Sequence, residues 1–169
     1  MKTKAKVLIV DDDVDVINVL QTILEHEGYE VLTAYNKKEA IEVAAGTKPD
    51  IAILDVMMTT HYEGFELARE ITTNPAFAEV PVVMQTSIEV LTTTNPSVQQ
   101  MAREFRRDPK YKELQVLLIK DVTTGKAGVD YLSESGENIW VWVDDFLAKP
   151  LDSSKLLPAI SKLIKKQTA

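Results

Sequence analysis

The sequence predicts an α/β fold built on a doubly wound parallel sheet of five strands, and three observations carry that prediction. Short apolar runs alternate with helical patterns through the first 90 residues and again near the C-terminus. The runs are continuously apolar, as in Val7-Leu8-Ile9-Val10 and Ile51-Ala52-Ile53-Leu54, which is the pattern of strands covered on both faces. They also stop abruptly at a carboxylate, a hydroxyl or an ammonium, and ligands of such sheets sit at the carboxyl ends of the strands.

Each element has its own signal. Lys6–Val10 reads as the first strand. Asp13 is placed to cap a helix whose apolar positions Val16, Ile17, Leu20, Ile23 and Leu24 follow helical spacing, and Gly28 suits its end. Val31–Tyr35 is the second strand. Asn36 and Glu39 have capping-box spacing and open a short helix that Gly46 closes. Ile51–Leu54 is a third strand ending at Asp55, and 64–73 is a helix with Phe65, Ala68 and Ile71 on one face. Val80–Gln85 is a fourth strand ending at Thr86. Asp145–Ala148 is the last, ending at Lys149-Pro150, and Asp152 caps a final helix that carries Pro158.

Residues 88–143 separate the fourth strand from the last, far more than an α/β connection needs. An extra helix starts after Asn95-Pro96 and carries Val98, Met101, Ala102 and Phe105. The stretch 102–118 echoes 68–84 at an offset of 34, with Ala, Arg, Glu, Pro, Glu and Val recurring in register. The echo supports an additional strand at Gln115–Ile119, and Ile139–Val143 is the expected partner of a β-hairpin, with Gly125, Gly128 and Gly136 in the loop. The length suits one domain, 1–169, with this insert inside it.

Composition narrows the function. A net charge of −7 argues against nucleic acid bound through a broad basic face and against anionic membranes. With no cysteine and two histidines, His26 and His61, thiol chemistry and His-rich metal sites are excluded. The apolar run after the basic N-terminus is too short for a signal peptide, and no run approaches a membrane span, so the cytoplasm is the expected location.

The strand-end acids are the informative feature. If the first and third strands are neighbours, Asp11, Asp12 and Asp55 meet at one edge. Two carboxylates 4 Å apart repel by roughly 4 kcal/mol at an effective dielectric near 20, so the cluster needs protons or a cation. An oxygen-only donor set selects Mg2+ or a similar ion. Thr86 and Lys149 end neighbouring strands. A carboxylate acceptor, a cation, a hydroxyl and an ammonium together describe phosphoryl transfer to an aspartate.

Four segments in order, Val7-Leu8-Ile9-Val10-Asp11-Asp12-Asp13, Ile53-Leu54-Asp55-Val56-Met57-Met58, Pro81-Val82-Val83-Met84-Gln85-Thr86-Ser87 and Asp144-Asp145-Phe146-Leu147-Ala148-Lys149-Pro150, resemble the receiver domains of bacterial two-component response regulators. The resemblance covers 1–90 and 144–166. It implies a flavodoxin-like fold with Asp55 as phosphoacceptor. It also implies an acidic pair Asp11 and Asp12, with Asp12 and Asp55 touching Mg2+ (or Mn2+) directly and Met57 lending a main-chain carbonyl. Thr86 and Lys149 would contact the phosphoryl group, and Phe146 holds the aromatic switch position. Implied partners are a sensor histidine kinase or phosphotransfer protein and a downstream protein that reads the phosphorylated state, with a homodimer left open. With no output segment after the last helix, a stand-alone switch is expected. Met57 and Ile88 fall where receivers often carry polar side chains that hold the hydrolytic water, so slow self-dephosphorylation is expected. Two departures stand out. The family has proline four and glycine eight residues after the acceptor, whereas this chain has Thr59, Glu63 and then Gly64. The insert replaces the fourth helix region.

Two other readings compete. Asp11-x-Asp13-Val14 resembles the opening motif of haloacid dehalogenase phosphatases, which would make Asp11 the nucleophile. A receiver-like scaffold that is never phosphorylated is the second. Blander roles belong to Asp13 as a helix cap, Asp15 as a first-turn acid, His61 as a loop residue, the Trp140/Trp142 pair as packing, and Arg103, Arg106, Arg107, Lys110 and Lys112 as a solvated basic face.

Overall fold

The computed structural model describes residues 5–55, 63–133 and 135–168, with side chains through Ile164 in the last helix. The first half runs β1 (Lys6–Val10), α1 (Val14–His26), β2 (Glu30–Ala34), α2 (Lys37–Thr47), β3 (Ile51–Asp55), α3 (Glu63–Thr73) and β4 (Val82–Thr86). It continues with β5 (Val90–Thr93), α4 (Val98–Arg107), α5 (Pro109–Lys112), β6 (Val116–Asp121), β7 (Ala127–Leu132) and β8 (Asn138–Val143), then β9 (Asp145–Ala148) and α6 (Ser153–Thr168).

Five parallel strands form the first sheet in the order β2-β1-β3-β4-β9. The pairings Ile9↔Ile53, Asp55↔Gln85 and Thr86↔Ala148 bring the carboxyl ends of β1, β3, β4 and β9 to one edge. Because strand side chains alternate faces, Val7, Ile9, Ile51, Ile53 and Val83 meet α1 and α6 on one side. Leu8, Val10, Leu54, Val82 and Met84 meet α2 and α3 on the other. The capping expectations hold at both early helices. Asp13 accepts from the Asp15 N–H and Asn36 from the Glu39 N–H, both at 2.9 Å. Glu39 reaches back to the Tyr35 N–H, one residue beyond the expected partner. Gly28 has φ +91 just past the end of α1, the conformation glycine adopts without penalty. The expected stop at Gly46 is corrected. Helix α2 runs through it to Thr47, and Lys48 takes the left-handed turn at φ 51.

The insert is larger than the hairpin expected from sequence. It holds a second sheet of four strands, β5-β6-β7-β8, with β5 and β6 parallel and the rest antiparallel. Strand β8 pairs with β7, not with the 115–119 segment, because the glycine-bearing stretch between them is itself a strand. Gly128 gave that stretch the look of a loop, yet a Cβ there would meet the Trp140 ring at 2.2 Å. Glycine is present so that the indole can lie on the β7 backbone. Leu118, Val129, Tyr131, Val141 and Val143 extend the core of the first sheet, on the side where α3 packs. The opposite face, through Leu117 and Ile119, is covered by Val98 and Ala102 of α4. The 34-residue echo is physical: Asn74 and Asp108 cap the turns after α3 and α4 through the Ala76 and Lys110 N–H groups, each at 2.9 Å.

The basic run is corrected at one position. Arg103, Arg107, Lys110 and Lys112 are exposed, but Arg106 is buried. Its guanidinium holds the Tyr111 and Leu114 carbonyls and pairs with the buried Asp130 at 3.2 Å. Among the described residues no helix is long and apolar enough to cross a membrane.

Candidate functional site

The same alternation that builds the core of the first sheet aims the site. Asp55 continues the Ile51, Ile53 side of β3, Gln85 the Val83 side of β4, and Asp11 the Val7, Ile9 side of β1 just past its end. Asp11 and Asp55 are almost wholly buried and Asp12 is exposed, so the pocket has two inner acids and one at the rim. One carboxylate oxygen from each of the three lies within 4.8 Å of the others. Lys149, after β9, places its Nζ 2.8 Å from Asp55 Oδ1 and 4.0 Å from Asp11 Oδ2.

Asp11 is fixed from two directions. Its Oδ1 accepts from the Asp13 N–H at 2.9 Å and its Oδ2 accepts from Gln85 Nε2 at 2.8 Å. Burial nevertheless dominates and pushes its carboxyl up from 3.8 to about 6. The Asp13 N–H lowers it, Asp55 raises it, Lys149 lowers it and Asp12 raises it, in that order of size. One ammonium does not balance the cluster. An all-carboxylate donor set with a buried acid held above its ordinary range fits a hard divalent cation. One oxygen from each acid lies close enough to the others for the three to share one ion.

Thr86 ends β4 beside Gln85 and is buried. Its Oγ1 accepts from the Ile88 N–H at 2.8 Å, and its carbonyl accepts from the Lys149 N–H at 2.8 Å. Phe146 is also buried, on the Met84 side of the first sheet, in the same cluster as Val129 and Val143 of the insert. Met57 and His61 lie outside the described residues. The structure thus brings Asp11, Asp12, Asp55 and Lys149 together and sets Thr86 and Phe146 on the opposite face of the same strand ends. Sequence reading missed Gln85. Its signal was a polar side chain at a buried, inward position of an otherwise apolar strand. Gly64, one residue later than the receiver pattern has it, is buried in the first turn of α3.

Residues 7–109, more than half of the chain, match the response regulator receiver domain family. The chain belongs to that family. This receiver is 38% identical over 88 residues to "Probable transcriptional regulator ycf27" of Guillardia theta, a match over 52% of the receiver's chain that spans about a third (33%) of that relative's length. Its fold is similar to the chemotaxis protein CheY4 of Vibrio cholerae (TM-score 0.59, 23% identity, 94% and 98% of the two chains). It is also similar to the N-terminal domain of a response regulator receiver protein from Methanoculleus marisnigri (TM-score 0.55, 26% identity, 95% and 96%). A third similar structure is the signal receiver domain of a modulated diguanylate cyclase from Desulfovibrio desulfuricans (TM-score 0.60, 23% identity, 97% and 96%). Family and fold are therefore as the strand-end motifs implied, and the receiver departs from the usual plan by its second sheet.

Proposed function

We propose that this receiver is a phosphorylation switch in which Asp55 takes a phosphoryl group from a phosphohistidine donor and the change is read by a protein partner. The observation that supports this most is the convergence of three carboxylate oxygens within 4.8 Å, with Lys149 2.8 Å from Asp55. In the transfer, an Asp55 carboxylate oxygen bonds to phosphorus as the donor's P–N bond breaks, and the imidazole leaves with that electron pair. Asp11 and Asp12, with Asp55 and the Met57 carbonyl, would hold Mg2+ or Mn2+. When bound, the ion offsets the charge on the transferring oxygens. Gln85 and the Asp13 N–H keep Asp11 aimed at the site. Lys149 releases part of its hold on Asp55 and follows the phosphoryl oxygens.

The rim of the site offers a place for the donor. A cleft of about 480 Å³ beside Lys149 is lined by Asp15, Val16, Val19 and Pro150. Val19 is 54% exposed on α1. An apolar lip next to the acceptor suits a helical donor better than it suits water. For the response, Thr86 would exchange the Ile88 N–H for the phosphoryl group, and Phe146 shares its core with the second sheet. Hydrolysis is slow in this reading, since Ile88 offers no polar side chain to hold a water.

The test is phosphoryl uptake from acetyl phosphate and from a phosphorylated kinase domain, with Mg2+ or with chelator. Uptake should need the ion and vanish in Asp55→Asn. A protein that neither takes up phosphoryl nor responds to beryllofluoride would be a binding scaffold instead.

A further inference from the structure

The outer layer of the insert carries a cleft that the phosphoryl site does not use. It measures about 570 Å³ and is lined by Gln100, Arg103, Glu104 and Arg107 of α4, by Lys126 before β7, and by Trp142 of β8. Trp142 is 45% exposed, on the side of β8 that faces α4. It is not loose. Its ring stands edge-on to Trp140, with centroids 5.1 Å apart, and Trp140 is seated on Gly128. The cleft therefore has a rigid aromatic floor.

Its rim is cationic. Arg103, Arg107 and Lys126 are exposed, and among the described residues none is paired with an acid. The packing of α4 does not need them, because Val98, Ala102 and the Arg106–Asp130 pair anchor that helix. Three unpaired cations around an exposed indole, in a chain of net charge −7, form a local field of the opposite sign to the rest of the molecule. That field reaches about 8–10 Å at physiological salt.

We propose that this cleft docks an acidic segment of a protein partner, with its carboxylates on Arg103, Arg107 and Lys126 and one apolar side chain against Trp142. Tryptophan and arginine are the side chains that most often carry binding energy at interfaces. A peptide is favoured over nucleic acid by two features. The cleft spans only a few residues. The net charge beyond the cleft opposes a long polyanion. The proposal stands apart from Asp55 chemistry, so failure of one leaves the other unaffected.

The test is selection of displayed random 12-residue peptides on the full chain, against counter-selection on the Arg103→Glu/Arg107→Glu variant. Selected peptides should be rich in Asp and Glu with an aromatic or aliphatic residue among them. Trp140 and Trp142 are the only tryptophans in the chain, so binding should change the intrinsic fluorescence directly. Affinity should fall roughly tenfold or more in the double variant and in Trp142→Ala, the latter read by anisotropy of labelled peptide. Circular dichroism of these exposed-site variants should match the parent. Selected peptides without acidic enrichment, or equal binding to the double variant, would overturn the proposal. So would tighter binding of a twelve-nucleotide oligothymidylate, or a dimer of the chain that the double variant dissolves.

Discussion

Asp11 and Asp121 hold matching places in the two sheets. Each stands at the carboxyl end of a buried strand, β1 or β6, and each is wholly buried. Their surroundings differ. Asp121 is enclosed by its own turn, accepting from the Thr123 N–H at 3.0 Å, from Thr123 Oγ1 at 2.7 Å and from Thr124 Oγ1. The Thr124 hydroxyl leads in holding its carboxyl below the ordinary value. Asp11 has two donors but faces Asp55 and Asp12, and its carboxyl is held up at about 6. A buried acid satisfied by its own chain is structural. One left under-satisfied among other acids has the surroundings that suit a cation. That contrast separates a folding device from a functional site where composition and position alone do not.

The largest expected effect tests the insert's dependence on its own buried charges. Arg106→Ala leaves the buried Asp130 without its cation, with the Asn138 Nδ2 donor remaining, and should cost about 3–5 kcal/mol in urea unfolding, while Mg2+-dependent phosphoryl uptake by the molecules that remain folded persists. A loss under about 1 kcal/mol would mean that the pair is as dispensable as a surface one.

The Asp11 contrast is sharpened by pH. A carboxyl whose native pKa is raised from 3.8 to about 6 contributes stability below about 4 that is lost as pH rises through about 6. In chelator, the parent should therefore lose about 3 kcal/mol relative to Asp11→Asn between pH 4 and pH 7. Mg2+ should restore it in the parent alone. Asp121 has the opposite sign: its contribution is present above 3.8 and lost as pH falls through the lowered native value. A parent and an Asp11→Asn protein with parallel pH profiles would remove the distinction drawn between the two acids.

Gly128→Ala should cost about 1–3 kcal/mol, because the new methyl displaces the Trp140 indole, and should shift the tryptophan emission. Unchanged emission would show that the ring does not need the glycine. Smallest in energy is Val19→Glu on α1. Stability should stay within about 0.5 kcal/mol, and transfer from a kinase domain should slow while uptake from acetyl phosphate does not. Equal slowing of both would move the donor's place elsewhere.

The first sheet was legible in the sequence because buried parallel strands leave continuous apolar runs and their carboxyl ends expose the chemistry. Asp11, Asp12, Asp55 and Lys149 could be placed at strand ends, and at one edge once the first and third strands were taken as neighbours. The second sheet was half legible. Val116-Leu117-Leu118-Ile119 is buried on both faces and reads as a strand, but β7 alternates through Gly128 and Asp130, which carry loop signals. Those two residues are explained only by what lies on them, Trp140 and Arg106, from distant parts of the chain. Gln85 was hidden for the same reason, since its partner Asp11 lies 74 residues away.

The proposed phosphoryl acceptor is Asp55, held by Lys149 among the acids. The most direct measurement of this is site-mapped mass spectrometry of the protein after acetyl phosphate and Mg2+, with hydroxylamine to mark acyl phosphates. One modified residue, Asp55, is expected, with no modification in Asp55→Asn and none in chelator. Equal modification of Asp55→Asn, or a label mapped to Asp11, would contradict it.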